Sequence, residues 1–310
     1  MDLLVSLPHQ LQWLMPPLEG QPVDMLLSLY IALSILAVRL ASEKLLLPPL
    51  NAALKARLQG SDSNPSKIRK RAYNCFNNSF IAASSLLMTT WAWHVTMTDN
   101  GGCTPFSTGA CLAGWPHISV SRQFKLVWLT VFGFYLYEMI CTALRVGCLL
   151  STEMVVHHII TMWMMLYGYF YSLGRYGLMA TALLDTSNTL LHSAKALNYA
   201  EPAFPGLARP KDAAFKAFAL SFFLCRVLAP PLALIKPGLL DGRAMPLVSY
   251  YITNGLLLSI YSLQLFWFVK IVRIALGGSP DDDEGSKDSK PAKVAAAAAT
   301  GSDDARIKAE

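Results

Sequence analysis

The stretch Met154–Tyr199 constrains this chain more than any other. It reads MVVHHIITMWMMLYGYFYSLGRYGLMATALLDTSNTLLHSAKALNY. Two apolar segments are joined by the short turn SLGRYG, and each carries ionisable groups where a membrane-spanning helix ordinarily has none. The first holds His157 and His158. The second holds Asp185, Asn188, His192 and Lys195, spaced three, four and three residues apart. On a helix that spacing puts all four on one face, and Thr181 extends the stripe by a turn. Thr161 lies one turn after His157. So short a turn makes the two helices antiparallel neighbours. The histidine pair then lies near the cytosolic end of one, and His192 and Lys195 near the cytosolic end of the other. Ionisable groups inside a bilayer are costly, face the bundle interior and mark functional sites by default. The blander reading is polar glue between helices. A double histidine facing an Asp/Asn/His stripe favours a lipid-handling site.

Composition fits this setting. Of 310 residues, 54% are hydrophobic and only 15% charged, with a mean hydropathy of +0.38. These values indicate an integral membrane protein, one polytopic bundle rather than several globular domains. The expected fold is all-α, with about seven transmembrane helices. The net charge of +6 is concentrated in loops, so it speaks to topology and not to nucleic acid. Six cysteines without a CxxC motif argue against a zinc or redox motif.

Residues 1–24 lack Lys and Arg, so they do not read as a signal peptide. Leu26–Ala41 is a first apolar helix whose Arg39, followed by Glu43 and Lys44, is expected to snorkel to the interface. Residues 1–50 are thus a lumenal N-terminus with the first transmembrane helix. Residues 51–72 are a polar linker containing Lys55, Arg57, Lys67, Arg69, Lys70 and Arg71. The positive-inside rule makes it cytosolic. Residues 73–274 hold six further helices. The second, from Tyr73 to Thr96, contains the sequon Asn77-Asn78-Ser79, which is expected to lie in the membrane and carry no glycan. Cys103 and Cys111 share the lumenal loop 97–122, as a disulfide or as two free thiols. Glu138 sits mid-membrane in the third helix, where it could line a cavity or pair with Arg226. Residues 198–212 form a cytosolic loop. The sixth helix, Ala213–Ile235, contains Arg226 and the pair Pro230-Pro231, which should kink or break it. Lys236 and Arg243, in the following lumenal loop, run against this topology. The seventh helix is Leu247–Ile274. Residues 275–310 read as a disordered cytosolic tail, ending in RIKAE, a poor match to a dibasic retrieval signal.

At its centre the chain resembles the TLC domain family, over about residues 67–274. That family includes ceramide synthases, translocon-associated proteins and membrane-homeostasis proteins. The synthase signature runs M-x-x-H-H-x-x-T, R-x-G, H-D-x-S-D and L-E-x-A-K-x-x-N-Y. Met154, His157, His158 and Thr161 match the first block, and Arg175 and Gly177 the second. Asp185 and Ser187 match the third. Leu191, Ala194, Lys195, Asn198 and Tyr199 match the last. The run FALSFFLCRVLAPP is also similar. The departures are Leu184, Asn188 and His192, where synthases carry His, Asp and Glu. The block LDTSNTLLH also resembles the non-synthase branch, which is linked to membrane phospholipid composition and lipid sensing.

The resemblance implies two functions. The first is acyl-CoA-dependent N-acyl transfer to a sphingoid base, yielding ceramide. His157 or His158 would act as general base or acyl-accepting nucleophile, oriented by Asp185. Glu138, Thr161, Arg175, Asn188, His192, Lys195 and Arg226 would surround the substrate, with Arg226 and Lys195 on the phosphates of CoA. No cofactor beyond the acyl-CoA co-substrate is expected. The second is a non-enzymatic protein of membrane phospholipid composition, lipid sensing or trafficking. A metal centre on His157, His158, Asp185 and His192 is disfavoured, because adjacent histidines diverge by about 100° on a helix. A transporter would show paired broken helices or an inverted repeat. The expected partners are membrane lipids and long acyl chains, with a homodimer open. The expected location is the endoplasmic reticulum, with the N-terminus lumenal and the C-terminus cytosolic.

Overall fold

The computed structural model describes residues 20–58, 64–147 and 149–276. The sequence readings on residues 1–19, on 59–63 and on the tail from 277 fall outside them. Every long element is a helix: α1 Asp24–Arg57, α2 Pro65–Thr98, α3 Arg122–Ala143, α4 Thr152–Phe170, α5 Gly174–Ala200, α6 Ala208–Phe222 and α8 Leu247–Ala275. The short α7, Lys236–Leu240, ends the run that α6 begins. Three starts follow from local chemistry. Asn64 caps α2 by accepting from Ser66 N at 3.0 Å, with Pro65 at the first helical position. Ser121 and Ser151 cap α3 and α4 in the same way, accepting from Phe124 N and Met154 N.

Successive long helices run antiparallel. α2, α5, α6, α8, α4 and α3 pack in a closed circuit, and α1 lies outside against α2 and α3. Among the described residues, four stretches are long and apolar enough to cross a membrane: α1, α3, the run Pro205–Arg243 and α8. The other long helices, α2, α4 and α5, carry the polar side chains and turn them inward. Leu26, Tyr30, Leu33 and Val38 on α1 are exposed, as are Leu258, Leu265, Phe266 and Val269 on α8. That is the inside-out polarity expected of a bundle solvated by lipid. The molecule is a polytopic all-α membrane bundle.

Helix limits differ from the sequence reading in physically interpretable ways. The 51–72 linker is largely helical: α1 runs through Pro48 and Pro49 to Arg57, and α2 begins at Pro65. Leu54 and Leu58 meet Ile68, Ala72 and Ala203 there, so apolar contacts hold the basic ends together. Arg39 does not snorkel. It is 1% exposed, bonded to Glu43 at 2.6 Å and to Asn77 Oδ1 on α2, with the rings of Tyr73 and Phe76 beside it. A carboxylate one turn on and an amide opposite replace the water it would otherwise seek. The proline pair does not break the sixth span either. The helix widens into π turns at Phe223–Leu228 and Pro231–Ile235. The carbonyl of Val227, whose α-helical donor would be the missing N–H of Pro231, accepts instead from Tyr261 Oη at 3.2 Å. That span also starts earlier than read, at Ala208, and the expected 236–246 loop is α7 followed by a 3-10 turn.

At the opposite end from the basic residues, Cys103 and Cys111 form a disulfide. Its loop packs on the start of α5. Asn100 Nδ2 donates to Arg175 O at 3.0 Å, and Arg175 Nη2 donates to Ser119 O at 3.1 Å.

Helix α1 packs close to α3 at Gly133, where an added Cβ would lie 2.8 Å from the backbone oxygen of Ser28. Ser28 Oγ also donates to Leu129 O at 3.0 Å. Gly133→Val is therefore expected to cost about 1–3 kcal/mol. It should lower the thermal midpoint in detergent, while Gly109→Ala, which meets nothing within 4 Å, should leave it unchanged.

Candidate functional site

The polar residues converge where α3, α4, α5, the π turn after α6 and α8 meet. A small cavity of about 40 Å³ lies there, lined by His157, Thr161, Asp185, Arg226 and Gln264 among largely apolar side chains. Trp128 and Met165 supply apolar wall, and Gly177 lets it close. A Cβ at Gly177 would stand 2.4 Å from the Trp128 ring, so the R-x-G glycine is a close-packing requirement.

The two histidines of α4 differ in their surroundings. His158 is 2% exposed and engaged at both nitrogens, Nδ1 to Met154 O and Nε2 to Glu138 Oε2, each at 2.8 Å. The carbonyl can only accept, so Nδ1 donates, and a proton is shared between Nε2 and the carboxylate. The ring of Tyr135 lies 5.0 Å away, centroid to centroid. His157 projects elsewhere, its ring edge-on to Trp267 at 5.2 Å. Its buried Nδ1 has no hydrogen-bond partner among the described residues, and neither does Thr161 Oγ1 one turn on.

Opposite them, a connected network spans α3, α5, the π turn and α8. Arg226 is buried, and all three of its nitrogens donate: Nε to Leu184 O at 2.7 Å, Nη1 to Gln264 Oε1 at 3.0 Å and Nη2 to Asn188 Oδ1 at 2.6 Å. Asn188 Nδ2 passes the contact to Asp185 Oδ1 at 3.1 Å, and Tyr135 Oη donates to the same oxygen at 3.1 Å. Asn188 thus bridges the guanidinium and the carboxylate, accepting from one and donating to the other. A carboxylate at that position could not donate to Asp185.

Several expected site residues stand elsewhere or act differently. Glu138 pairs with His158, not with Arg226. Asp185 is seated on Tyr135 and Asn188, and the carboxylate that holds an imidazole is Glu138. Arg175 lies at the disulfide end, where its guanidinium covers Gly101 and fastens the loop, outside the cavity. His192 lies a turn beyond Asn188, and its Nδ1 meets Asn78 Oδ1 on α2 at 2.9 Å. Lys195 is half-buried one turn further toward the basic end. Asn77 and Asn78 of the sequon are each 2% exposed. Among the described residues, no three His, Cys, Asp or Glu side chains gather as metal ligands. Tyr135 and Gln264 join the site unannounced by the sequence reading. Gln264 had one signal, as an amide alone in the apolar run YSLQLFWFV.

Removing Arg226 should be costly, because it leaves three acceptors without their donor and the Asp185 charge without its nearby counter-charge. Arg226→Met is expected to lose about 3–5 kcal/mol. Arg226→Met with Asp185→Asn should recover part of the loss, because the second change removes the stranded charge. Thermal unfolding midpoints of the three detergent-solubilised variants check this.

Comparison with known proteins agrees with this architecture. The TLC domain profile matches residues 74–273, from α2 to the end of α8. Ceramide synthase 4 of Mus musculus is 28% identical over 226 residues, covering 70% of this chain and 53% of its own length. Ceramide synthase LOH2 of Arabidopsis thaliana is 30% identical over 173 residues, covering 51% and 54%. Alternaria stem canker resistance protein 1 of Solanum lycopersicum is 28% identical over 170 residues, covering 52% and 54%. The chain spans about half the length of these relatives. The profile takes in every helix of the closed circuit and both halves of the polar network, and on that ground the chain belongs to the TLC-domain family.

Proposed function

We propose that this protein is an acyl-CoA-dependent N-acyltransferase that joins a long acyl chain to the amine of a sphingoid base. One observation carries the reading. An apolar cavity has an imidazole nitrogen without a protein partner in its wall, His157 Nδ1, next to a second imidazole already committed to a carboxylate. An imidazole in that state can take an acyl group or a proton. In the first route the acyl carbon bonds to His157 Nδ1, the C–S bond breaks, and the proton of the other ring nitrogen passes to the sulfur, so CoA leaves as the thiol. The amine then displaces the imidazole, giving the amide, and the proton it loses returns to the imidazole. In the second the amine nitrogen attacks the thioester directly, and His157 takes the proton that the amine loses and returns it to the departing sulfur. The carboxylate of Asp185 at the same wall favours the positive charge that develops on nitrogen or on imidazole. Two of the similar proteins are ceramide synthases, which agrees with this substrate class.

A second reading is a non-enzymatic lipid-binding protein. The observation that favours it is the saturation of Arg226, Asn188, Asp185 and His192 by protein partners. For location we propose the endoplasmic reticulum, with the basic helix ends cytosolic and the disulfide loop lumenal. That orientation agrees with the positive-inside rule and with an oxidising lumen.

The test is amide formation by the purified full chain, supplied with long-chain acyl-CoA and a labelled sphingoid base. Wild type should form product. His157→Ala should reduce kcat by at least a hundredfold, on the order expected for loss of a catalytic acid–base group, and Asp185→Ala should also abolish most turnover. Mass spectrometry without amine separates the routes, since only the first leaves an acyl group on His157. Wild type that stays folded yet forms no amide across a panel of acyl-CoAs and amines would reject the enzyme in favour of the second reading.

A further inference from the structure

Gln264 is 1% exposed, lies on α8 and lines the same cavity as His157 and Thr161. The two ends of a glutamine amide have the same shape and are told apart by their partners. Here the partner decides: Arg226 Nη1, which can only donate, meets the amide at 3.0 Å, so that end is Oε1. Arg226 is itself held by Leu184 O and Asn188 Oδ1, so the amide cannot turn over without stranding the guanidinium. The other end, Nε2, is buried and has no partner among the described residues. Two more buried polar atoms of the same lining share that condition, Thr161 Oγ1 and His157 Nδ1. Leaving buried polar atoms unmatched costs about 1–3 kcal/mol each. Gln264 Nε2 and the Thr161 hydroxyl can both donate, consistent with a ligand oxygen that would satisfy them, and His157 Nδ1 keeps its lone pair for the reaction.

We infer that Gln264 Nε2, together with the Thr161 hydroxyl, donates hydrogen bonds to the carbonyl oxygen of a bound acyl group and sets that carbonyl beside His157. The inference rests on the acyl-transfer reading and adds to it the residues that recognise the reacting group. Glutamine suits the task because its amide keeps a donor at neutral pH without adding charge to an apolar cavity. Arg226 then acts through Gln264, as a positioning residue that fixes which end of the amide faces the ligand. When the carbonyl carbon becomes tetrahedral its oxygen gains negative charge, and the same two donors hold it more strongly than in the ground state.

The experiment compares binding of two non-cleavable acyl-CoA analogues to the full chain in detergent. One is a long-chain ketone whose carbonyl cannot be displaced. The other is the thioether of equal chain length lacking the oxygen. Wild type should bind the ketone about tenfold more tightly, the value of one good hydrogen bond. Gln264→Glu keeps an acceptor for Arg226 and removes the donor, so it should abolish that preference while binding the thioether normally. Thr161→Val should reduce the preference and stands in if Gln264→Glu does not fold. In the amide-forming assay Gln264→Glu should lower kcat on the order of a hundredfold with KM for acyl-CoA changed far less. Equal binding of the two analogues by wild type, failure to bind either, or a preference that survives both substitutions overturns the inference. Carbonyl preference in a wild type that forms no amide would overturn the enzyme reading and leave this recognition site standing.

Discussion

The guanidinium of Arg226 is buried in the middle of the bundle. A charge there is tolerable only where every donor finds an acceptor and a compensating carboxylate lies close by. Leu184 O, Gln264 Oε1 and Asn188 Oδ1 take the donors, and Asp185 supplies the charge through Asn188. Satisfying this one side chain ties α5, α8 and the segment after α6 together, and through Tyr135 it reaches α3. The π turn at Phe223–Leu228 belongs to the same requirement. It widens the helix by a residue where Arg226 must point inward, and the proline pair that follows has lost the donors a regular α-helix would use.

The rest of the bundle separates the two faces of each helix by environment. The seam between α2 and α5 is polar and part-buried. Trp93 Nε1 donates to Thr186 Oγ1 at 2.8 Å, Thr189 Oγ1 donates to Ser85 Oγ at 3.3 Å, and His192 meets Asn78. Contacts of this kind between membrane helices add about 0.6 kcal/mol each on average. Their effect lies in register as much as in strength, since each pair is made at a single alignment of the helices. Most of the seam lies outside the cavity lining. It holds α5 so that Asp185 and Leu184 face the site.

Within the cavity the arrangement is asymmetric. One wall carries a network whose members satisfy one another except at Gln264 Nε2. The other carries His157 and Thr161, whose polar atoms are not satisfied in this way. His158 belongs with the first group despite its place beside His157, because Glu138 occupies its free nitrogen. Adjacent histidines on one helix point about 100° apart. A single helical turn can therefore give one imidazole to the framework and leave its neighbour to a ligand.

The sequence alone determined the membrane-spanning, all-helical class, and its α5 stripe included Thr181 and Asp185, which line the same cavity as His157. Apolar length and helical period are local properties that lipid solvation enforces directly. It also marked His157, Thr161, Asp185 and Arg226, because an ionisable or hydroxyl side chain in an apolar run has few places to go. Tertiary structure decided what those residues touch. The partner of His158 proved to be Glu138, twenty positions away on another helix. Arg175 proved to fasten a disulfide-closed loop, and Arg39 to be buried against Asn77. Gln264 gained a defined orientation from Arg226. Periodicity assigns a side chain to a face of its own helix. Which neighbour meets that face depends on the order in which the helices pack, and that order is fixed only when all buried polar groups are satisfied at once.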